Sequence, residues 1–256
     1  MGFFCTLASG SSGNAAVYVD GRARVLIDAG TNTRFLVSCL RTLGLTPDML
    51  THVLVTHSHS DHISALSVLL KHTRALVVCT DETAARLTLP AGARVETIEP
   101  GAAFELADCP VRAFATPHDA QGSCGYVLGR GAQSAAVCTD LGVMTQEIAD
   151  ALRGTPTVLL ESNHDVQMLK CGPYPYYLKT RILSDHGHLS NDACARGARW
   201  LAQTGTRRLL LAHLSAENNT RALAYETTRA ALAAAGAEGV ETEVAPRSGL
   251  GRPVLF

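Results

Sequence analysis

The histidine-rich segment at residues 57–62 constrains this chain more than any other stretch. It reads His-Ser-His-Ser-Asp-His and follows the apolar run at residues 53–55, where a β-strand pattern ends and a helix pattern begins. Neutral imidazoles and carboxylates are the ligands that borderline divalent metals prefer in proteins. The spacing therefore predicts a metal site and disfavours the alternative, a polar loop that is rich in histidine by chance. His57 and His59 can hold one ion from an extended turn, whereas Asp61 and His62 open the helix and suit a second ion.

The composition favours a globular protein. Of the 256 residues, 46% are hydrophobic and 18% are charged, which is typical of a chain with a large core. The formal net charge of -1 excludes a uniformly basic coat for nucleic acid, although it leaves room for a local basic patch. No apolar run approaches the length that spans a membrane, so we expect no membrane association.

The cysteines predict a reducing environment. The eight cysteines are scattered along the chain and include no Cys-x-x-Cys pair. With no signal-peptide pattern in front of them, they are typical of reduced thiols in the cytoplasm and not of a disulfide framework.

The order of the patterns predicts an α/β (α+β) fold. β-strand patterns fill the first half of the chain, and strands alternate with helices in the second half. Two packed sheets with helices outside suit this order, with ligands gathered along one edge. The chain has no internal repeat, low-complexity tail or flexible linker, so residues 1–256 are predicted to form a single domain.

Several polar residues stand where an apolar β-run stops. Asp28, His118, Asp140 and His213 each occupy such a position, from which a side chain can face a site while the loop stays pliable. A carboxylate beside a metal site commonly accepts the N–H of a ligand histidine and fixes its tautomer. We assign that role to Asp28 and keep a plain structural cap as its alternative.

The remaining histidines divide by their surroundings. His164 and His188 flank polar, site-like loops and are predicted to be functional. His52 and His72 lie within apolar runs and are most simply structural, and the role of His186 stays open.

Two further stretches are candidates for substrate binding. The turn at residues 8–14 is rich in Gly, Ser and Asn and can present N–H groups to a phosphate, although a simple hairpin fits equally well. Residues 170–181 hold three tyrosines and three cations, which suit contacts to bases and phosphates, with a solvated loop as the alternative. The predicted substrate contacts are Ser11, Ser12, Asn14, Lys179, Arg181 and Asn218.

These residues resemble a known family. The His-x-His-x-Asp-His motif, followed by His118, Asp140 and His213 at later strand ends, resembles the metallo-β-lactamase superfamily. A narrower resemblance, to the YycJ (WalJ) family, extends nearly end to end and is more specific than the shared histidine motif. It rests on the blocks at residues 7–14, 26–30, 139–142, 161–165, 168–169, 178–181, 187–191 and 213–219.

The resemblance implies an αββα sandwich, with two mixed sheets flanked by helices, and a two-metal centre. His57, His59 and His118 would hold one ion. Asp61, His62 and His213 would hold the other, and Asp140 would bridge the two. His and carboxylate ligands without cysteine suit Zn, Mn or Fe.

The resemblance also implies an activity. Members of the family are described as 5′-to-3′ exonuclease-type enzymes on DNA, and relatives such as RNase J and RNase Z cut RNA. In the RNase J branch, the histidine of a Gly-His-x-Ser block lies near the scissile phosphate, and residues 187–190 match that block. His188 is therefore the candidate for this role. Between Asp140 and His213 there is no room for the large inserted domain of RNase J, so its RNA clamp is not expected.

The implied chemistry is metal-dependent hydrolysis. Two ions about 3.5–4 Å apart can hold a bridging hydroxide that attacks phosphorus in line. Asp61 would help to hold this centre, and the leaving oxygen would take a proton from His188, His164 or a metal-bound water. The sequence does not choose among these three. The alternatives are a hydrolase of small esters, thioesters or cyclic phosphates, and a metal-bound regulatory module with low turnover. We expect nucleic acid, most simply DNA, as substrate, and the oligomeric state stays open.

Overall fold

Two mixed β-sheets, packed face to face, form the centre of the protein in the computed structural model, which describes residues 2–256. Met1, the first residue of the predicted domain, lies outside the described residues. The strands of the first half are β1 (Phe3–Ala8), β2 (Ala15–Asp20), β3 (Ala23–Ile27), β4 (His52–Leu54), β5 (Leu76–Cys79), β6 (Val95–Thr97), β7 (Ala103–Leu106), β8 (Cys109–Ala115) and β9 (Cys124–Leu128). The later strands are β10 (Ala135–Cys138), β11 (Thr157–Glu161), β12 (Arg208–Ala212), β13 (Glu241–Val244) and β14 (Val254–Leu255).

The helices cover the outer faces of the sheets. They are α1 (Thr33–Thr42), α2 (Ser60–Ile63), α3 (Leu66–Leu69), α4 (Asp81–Ala84), α5 (Gln146–Leu152), α6 (Val166–Cys171), α7 (Tyr176–Ile182), α8 (Asn191–Gln203) and α9 (Arg221–Ala234). Two single-turn 3₁₀ helices, Pro47–Met49 and Gly131–Gln133, lie in connections.

Each sheet has seven strands and changes from antiparallel to parallel pairing along its width. The first sheet has the order β14-β1-β2-β3-β4-β5-β6, antiparallel up to β3 and parallel from β3 onward. The second has the order β13-β12-β11-β10-β9-β8-β7, with parallel pairing from β10 to β13. The predicted sandwich of two mixed sheets flanked by helices is confirmed.

Alternation along the strands separates three cores. In β1, Phe4 faces the space between the sheets, where it joins Tyr18 and Tyr126, whereas Leu7 faces the helical side with Leu40 of α1. This period of two is what a strand buried on both faces requires. A third core lies between the second sheet and its helices, with Leu160, Leu201, Leu211 and Leu232 among its members.

The site lies at the edge where parallel strands from both sheets end. Asp28, Asp140 and His213 come one or two residues after β3, β10 and β12, and their φ angles are 59°, 58° and 54°. A left-handed conformation costs a non-glycine residue about 1–2 kcal/mol. Three such residues at one edge of the sandwich indicate a functional constraint on the backbone.

The state of the cysteines and the lengths of the helices relate to the predictions of free thiols and of no membrane association. All eight cysteines are free thiols and seven are buried. Within residues 2–256, no helix has the length and apolar character that crossing a membrane requires. The cytoplasmic location and the single-domain organisation stay predictions.

Candidate metal centre

Seven side chains that are predicted from the sequence to be metal ligands lie close together at this edge. The ligand atoms of His57, His59 and His118 lie within 4.8 Å of one another. Those of Asp61, His62 and His213 form a second group on the same criterion. The two groups match the division that the family resemblance implies.

Asp140 lies between the two groups. One of its carboxylate oxygens is 3.2 Å from Nε2 of His62, and the other is 3.8 Å from Nε2 of His118 and 3.4 Å from Nδ1 of His213. Asp140 therefore contacts imidazoles of both groups from one buried position.

Unpartnered buried atoms show that the residues fit a metal. Nε2 of His57 and Oδ2 of Asp140 are buried and have no hydrogen-bond partner among the described residues. Buried polar atoms in folded proteins nearly always have a partner. A divalent cation would satisfy both atoms, and the surrounding set of imidazoles and carboxylates is the donor chemistry of such ions.

Short local elements bring the histidine motif into the site. β4 ends at Leu54, the chain then runs extended to His59, and α2 turns Asp61 and His62 toward the centre. The end of β3 holds this turn, because the N–H of Ala29 donates to the carbonyl of His62 at 2.8 Å. A Cβ atom at Gly30 would overlap the backbone carbonyl of Asp61, so only glycine permits this approach.

Asp28 lies behind His62 in the manner that the sequence suggests. Its Oδ2 accepts Nδ1–H of His62 at 2.7 Å, which leaves Nε2 of that ring facing the centre. Its carboxylate also accepts the backbone N–H and the hydroxyl of Thr56 at 2.8 and 2.9 Å. These hydrogen bonds fix both the tautomer of His62 and the start of the histidine motif.

Buried carboxylates dominate the electrostatics of the centre. Burial alone would lower the pKa of His62, but Asp140 and Asp28 together outweigh it and raise the pKa to about 10. At His57, burial and the neighbouring imidazoles outweigh the attraction of Asp140 and hold the pKa well below the ordinary value. Burial would raise the pKa of Asp140, yet His213 and His62 outweigh it and hold that pKa well below its usual range. The buried carboxylates of Asp28 and Asp140 therefore favour positive charge beside them.

Glu161 is a residue of the centre to which the sequence reasoning gave no role. It is fully buried at the end of β11, and its Oε1 accepts Nδ1–H of both His213, at 2.7 Å, and His188, at 2.8 Å. Its Oε2 accepts the backbone N–H groups of Leu141 and Leu189 at 3.0 and 3.2 Å. A role for Glu161 could have been predicted from the sequence, because Glu161 is the last residue of an apolar strand and Asp28 similarly stands directly after one.

Asp119 is a second residue that the sequence reasoning missed. Its Oδ1 lies 3.4 Å from Nε2 of both His59 and His118, and its other oxygen pairs with Arg181 of α7. Its position directly after His118 in the chain was the available signal. Arg181, predicted to contact substrate, thus lies at the rim of the centre.

The other predicted catalytic residues differ in exposure. The side chain of His188 is 20% exposed, and its ring centroid lies 5.2 and 5.1 Å from those of His118 and His213. His164 is 1% exposed, and neither ring nitrogen has a hydrogen-bond partner within residues 2–256. His188 is therefore at the mouth of the centre, and His164 lies behind it.

The residues predicted to contact substrate lie in different surroundings, and only some of them are exposed. Ser11 and Ser12 are exposed in the turn after β1, but Asn14 is buried, with Nδ2 3.2 Å from Oδ2 of Asp61 and 3.0 Å from Nε2 of His62. Lys179 donates to the carbonyls of Lys170 and Gly172, both at 2.7 Å, and thereby ties α6 to α7. Asn218 lies fully in the interior, with no exposed surface.

The fold and the site together define a protein of the metallo-β-lactamase type, in which an αββα sandwich gathers histidines and aspartates at one edge. A family model described as a beta-lactamase superfamily domain matches residues 23–214. The chain belongs to this superfamily and, within it, to the YycJ (WalJ) family, as the sequence predicts.

Two relatives carry the narrower assignment. The exodeoxyribonuclease WalJ of Streptococcus pneumoniae is 33% identical over 230 residues, which cover 88% of this chain and 86% of that protein. The exodeoxyribonuclease YycJ of Bacillus anthracis is 32% identical over 226 residues, covering 86% and 85%. The structure of Zn²⁺-bound PqqB from Methylobacterium extorquens superposes with a TM-score of 0.73 at 15% identity, covering 98% and 99%, and shows the shared fold alone.

Proposed function

We propose that this protein is a metal-dependent phosphodiesterase that degrades DNA as an exonuclease of the 5′-to-3′ type. The observation that carries the proposal is the set of seven candidate donors, two groups of three with Asp140 beside imidazoles of both, and a partly exposed His188 at the mouth of the site. The names of the two relatives support DNA as the substrate.

The proposed ligands follow from the two groups. His57, His59 and His118 would hold one ion, Asp61, His62 and His213 would hold the other, and Asp140 would contribute to both. Zn, Mn and Fe suit these donors, since no thiolate is among them. When bound, the two ions supply Lewis-acid polarisation of the phosphoryl oxygens and activation of water.

His188 is the proposed proton donor to the leaving oxygen. Glu161 accepts its Nδ1–H, so Nε2 is the atom that is free to deliver a proton. The interior position of His164 argues against the same role for that ring, because burial lowers its pKa to about 4.

A patch of unpaired cations supports a polyanionic substrate over a small ester. The basic face (Arg34, Arg41, Lys71, Arg74 and Arg94) is exposed and lines two surface depressions that meet at residues 71–73. Within residues 2–256 these five side chains form no ion pair, whereas Arg22 and Arg130 elsewhere pair with Asp108 and Glu105. Unneutralised cations along a surface attract a phosphate backbone.

The basic face begins beside the metal centre. Arg34 lies in the first turn of α1, and the segment before α1 packs on α2, where Ser64 Oγ donates to the carbonyl of Thr31 at 3.4 Å. Arg34 and Arg41 are seven residues apart and share one face of α1. On the other side of the centre, α7 exposes Tyr176 and Tyr177, which can stack on bases.

A substrate panel tests the proposal. Metal-loaded protein is offered 5′-phosphorylated single- and double-stranded DNA, RNA, a p-nitrophenyl phosphodiester and a chromogenic lactam. We expect mononucleotide release from DNA, and we expect His188→Ala to lose that activity while keeping its metal content. Turnover of the small substrates alone would replace the nuclease proposal with the small-molecule alternative, and turnover of none would favour the regulatory module.

A further inference from the structure

A cavity of about 500 Å³ opens beside His188 and lies outside the proposed ligand set. Its walls are the segment before α5, the segment between α7 and α8, and one face of α8. Ala193, Arg196, Gly197 and Trp200 line it at spacings of three and four residues, which lie on one side of a helix. A volume in this range is typical of small-molecule sites.

Small residues on α8 keep the cavity open. Gly197 lies inside the helix, where glycine is unfavourable relative to alanine. A Cβ atom there would meet only the end of Met144, at 3.0 Å, and Leu160, at 3.9 Å, so a larger side chain would extend into the space. Ala193 lines the cavity one helical turn earlier.

The inner wall carries a buried polar ring without a partner. His164 lines the cavity, is 1% exposed, and has no hydrogen bond at either ring nitrogen among the described residues. Such a ring is costly unless something else satisfies it. As a neutral imidazole it offers one donor and one acceptor on diverging sides of the ring, so either tautomer can present one hydrogen-bonding nitrogen to a heteroaromatic edge.

The outer wall carries an aromatic platform. Trp200 lines the cavity and is half-buried, and the guanidinium carbon of Arg153 lies 5.2 Å from its ring centroid. This cation–π contact helps to fix the indole ring. Gln146 and the exposed Arg196 add polar groups to the same walls.

We propose that this cavity binds a nucleobase of the DNA strand, with Trp200 stacking on the base and His164 hydrogen-bonding to its edge. Because His188 forms part of the same wall, the base belongs to a nucleotide adjoining the scissile phosphate. The inference rests on the proposed function, since it names a subsite for the substrate of that same centre.

Trp200 is the single tryptophan of the chain, so its fluorescence reports on the cavity directly. Metal-free protein is titrated with deoxynucleoside monophosphates and, separately, with deoxyribose 5-phosphate, which lacks the base. We expect saturable quenching by the nucleotides and none by the sugar phosphate. Equal responses to the two ligands would overturn the proposal.

Variants of α8 distinguish an effect of filling the cavity from an effect of unfolding the protein. Ala193→Phe fills the space and should weaken nucleotide binding about tenfold or more, as loss of base stacking does. Ala193→Ser keeps the volume and should bind like the unchanged protein, and Arg199→Phe adds the same side chain at an exposed position on α8 outside the cavity. Unfolding midpoints confirm that each variant is folded, and a folded Ala193→Phe with unchanged affinity would contradict the proposal.

The binding titration is independent of catalysis. If no DNA is cleaved but nucleotides quench Trp200, the nuclease proposal fails and the base site stands. If DNA is cleaved but nucleotides do not quench Trp200, the base site fails and the nuclease proposal stands.

Discussion

The two halves of the proposed metal centre are supported by different chemistry. In the inner half (Asp61, His62 and His213), both imidazoles donate Nδ1–H to buried carboxylates, at 2.7 Å each. In the outer half (His57, His59 and His118), Nδ1 of His57 lies 3.1 Å from the hydroxyl of Thr56, and Nδ1 of His118 lies 3.1 Å from the carbonyl of Gly187. The side chain of His59 is 36% exposed.

The fold thus supports the two groups of side chains with different acceptors, carboxylates for one and neutral oxygens for the other. A carboxylate behind a ligand histidine fixes its tautomer and raises its basicity more than a neutral oxygen does. We therefore expect the inner half to hold an ion more tightly than the outer half.

Asp61→Asn should have the largest effect, because it removes the negative charge of the one carboxylate among the three proposed ligands of the inner half. We expect hydrolysis of DNA to fall by more than about 100-fold, beyond the roughly 10–100-fold cost of changing a residue that supports a ligand. Steady-state cleavage of a 5′-phosphorylated oligonucleotide measures the loss. Ser60→Ala, an exposed neighbour, is the control, and cleavage by Asp61→Asn at the control's rate would refute the two-group centre.

Glu161→Gln should come next, since one carboxylate supports both His213 and His188. An amide cannot accept from both imidazoles and from the N–H groups of Leu141 and Leu189, so buried donors lose partners. We expect DNA cleavage to fall about 10–100-fold and the free energy of unfolding to fall by about 1–3 kcal/mol. Activity assays and denaturant unfolding report the two losses. Glu147→Gln, exposed on α5, should change neither, and a Glu161→Gln protein matching it would contradict the supporting role.

The comparison of Asp28→Asn with Asp119→Asn tests the two halves against each other. Asparagine tolerates the left-handed backbone of position 28, so the substitution keeps the turn while weakening the hydrogen bonds from His62 and Thr56 to the carboxylate. We expect Asp28→Asn to weaken metal binding about tenfold or more, and Asp119→Asn, at the exposed rim, to weaken it by less than about threefold. Competition with a chelator measures both affinities. Equal losses would mean that the halves are supported alike.

Charge reversal on the basic face should leave the centre itself untouched. Arg41→Glu combined with Lys71→Glu should weaken DNA binding, and the slope of log affinity against log salt should fall by about one for each phosphate that the protein no longer neutralises. Turnover of a p-nitrophenyl phosphodiester should stay unchanged. Arg22→Glu with Arg130→Glu makes the same change in net charge elsewhere, and an equal loss in that variant would show a general effect of charge.

Much of the arrangement of the proposed metal centre could be predicted from the sequence, because a polar residue directly after an apolar run indicates the end of a strand. Asp28, Asp140 and His213 each follow an apolar run, and the fold brings those ends to one edge. Two packed sheets with helices outside were predicted from the same order of patterns, the family resemblance implied the αββα sandwich of mixed sheets, and both are confirmed.

The predictions from the sequence that were wrong or incomplete have physical causes. Side-chain direction inside a loop is set by tertiary packing, so the sequence could not tell that Asn218 is buried or that Lys179 ties two helices together. The helices α6 and α7 were also missed, since glycine and proline break the stretch at residues 172–175, and α7 begins directly after Pro175. One predicted helix after the histidine motif is instead two short ones, α2 and α3.

The unequal support of two ions is tested most directly by calorimetric titration of Zn²⁺ into the metal-free protein. We expect two ions per chain, bound in two resolved steps, with the tighter step weakened by Asp28→Asn and the weaker one left in place. One ion per chain, or two steps of equal affinity that Asp28→Asn weakens alike, would contradict the account.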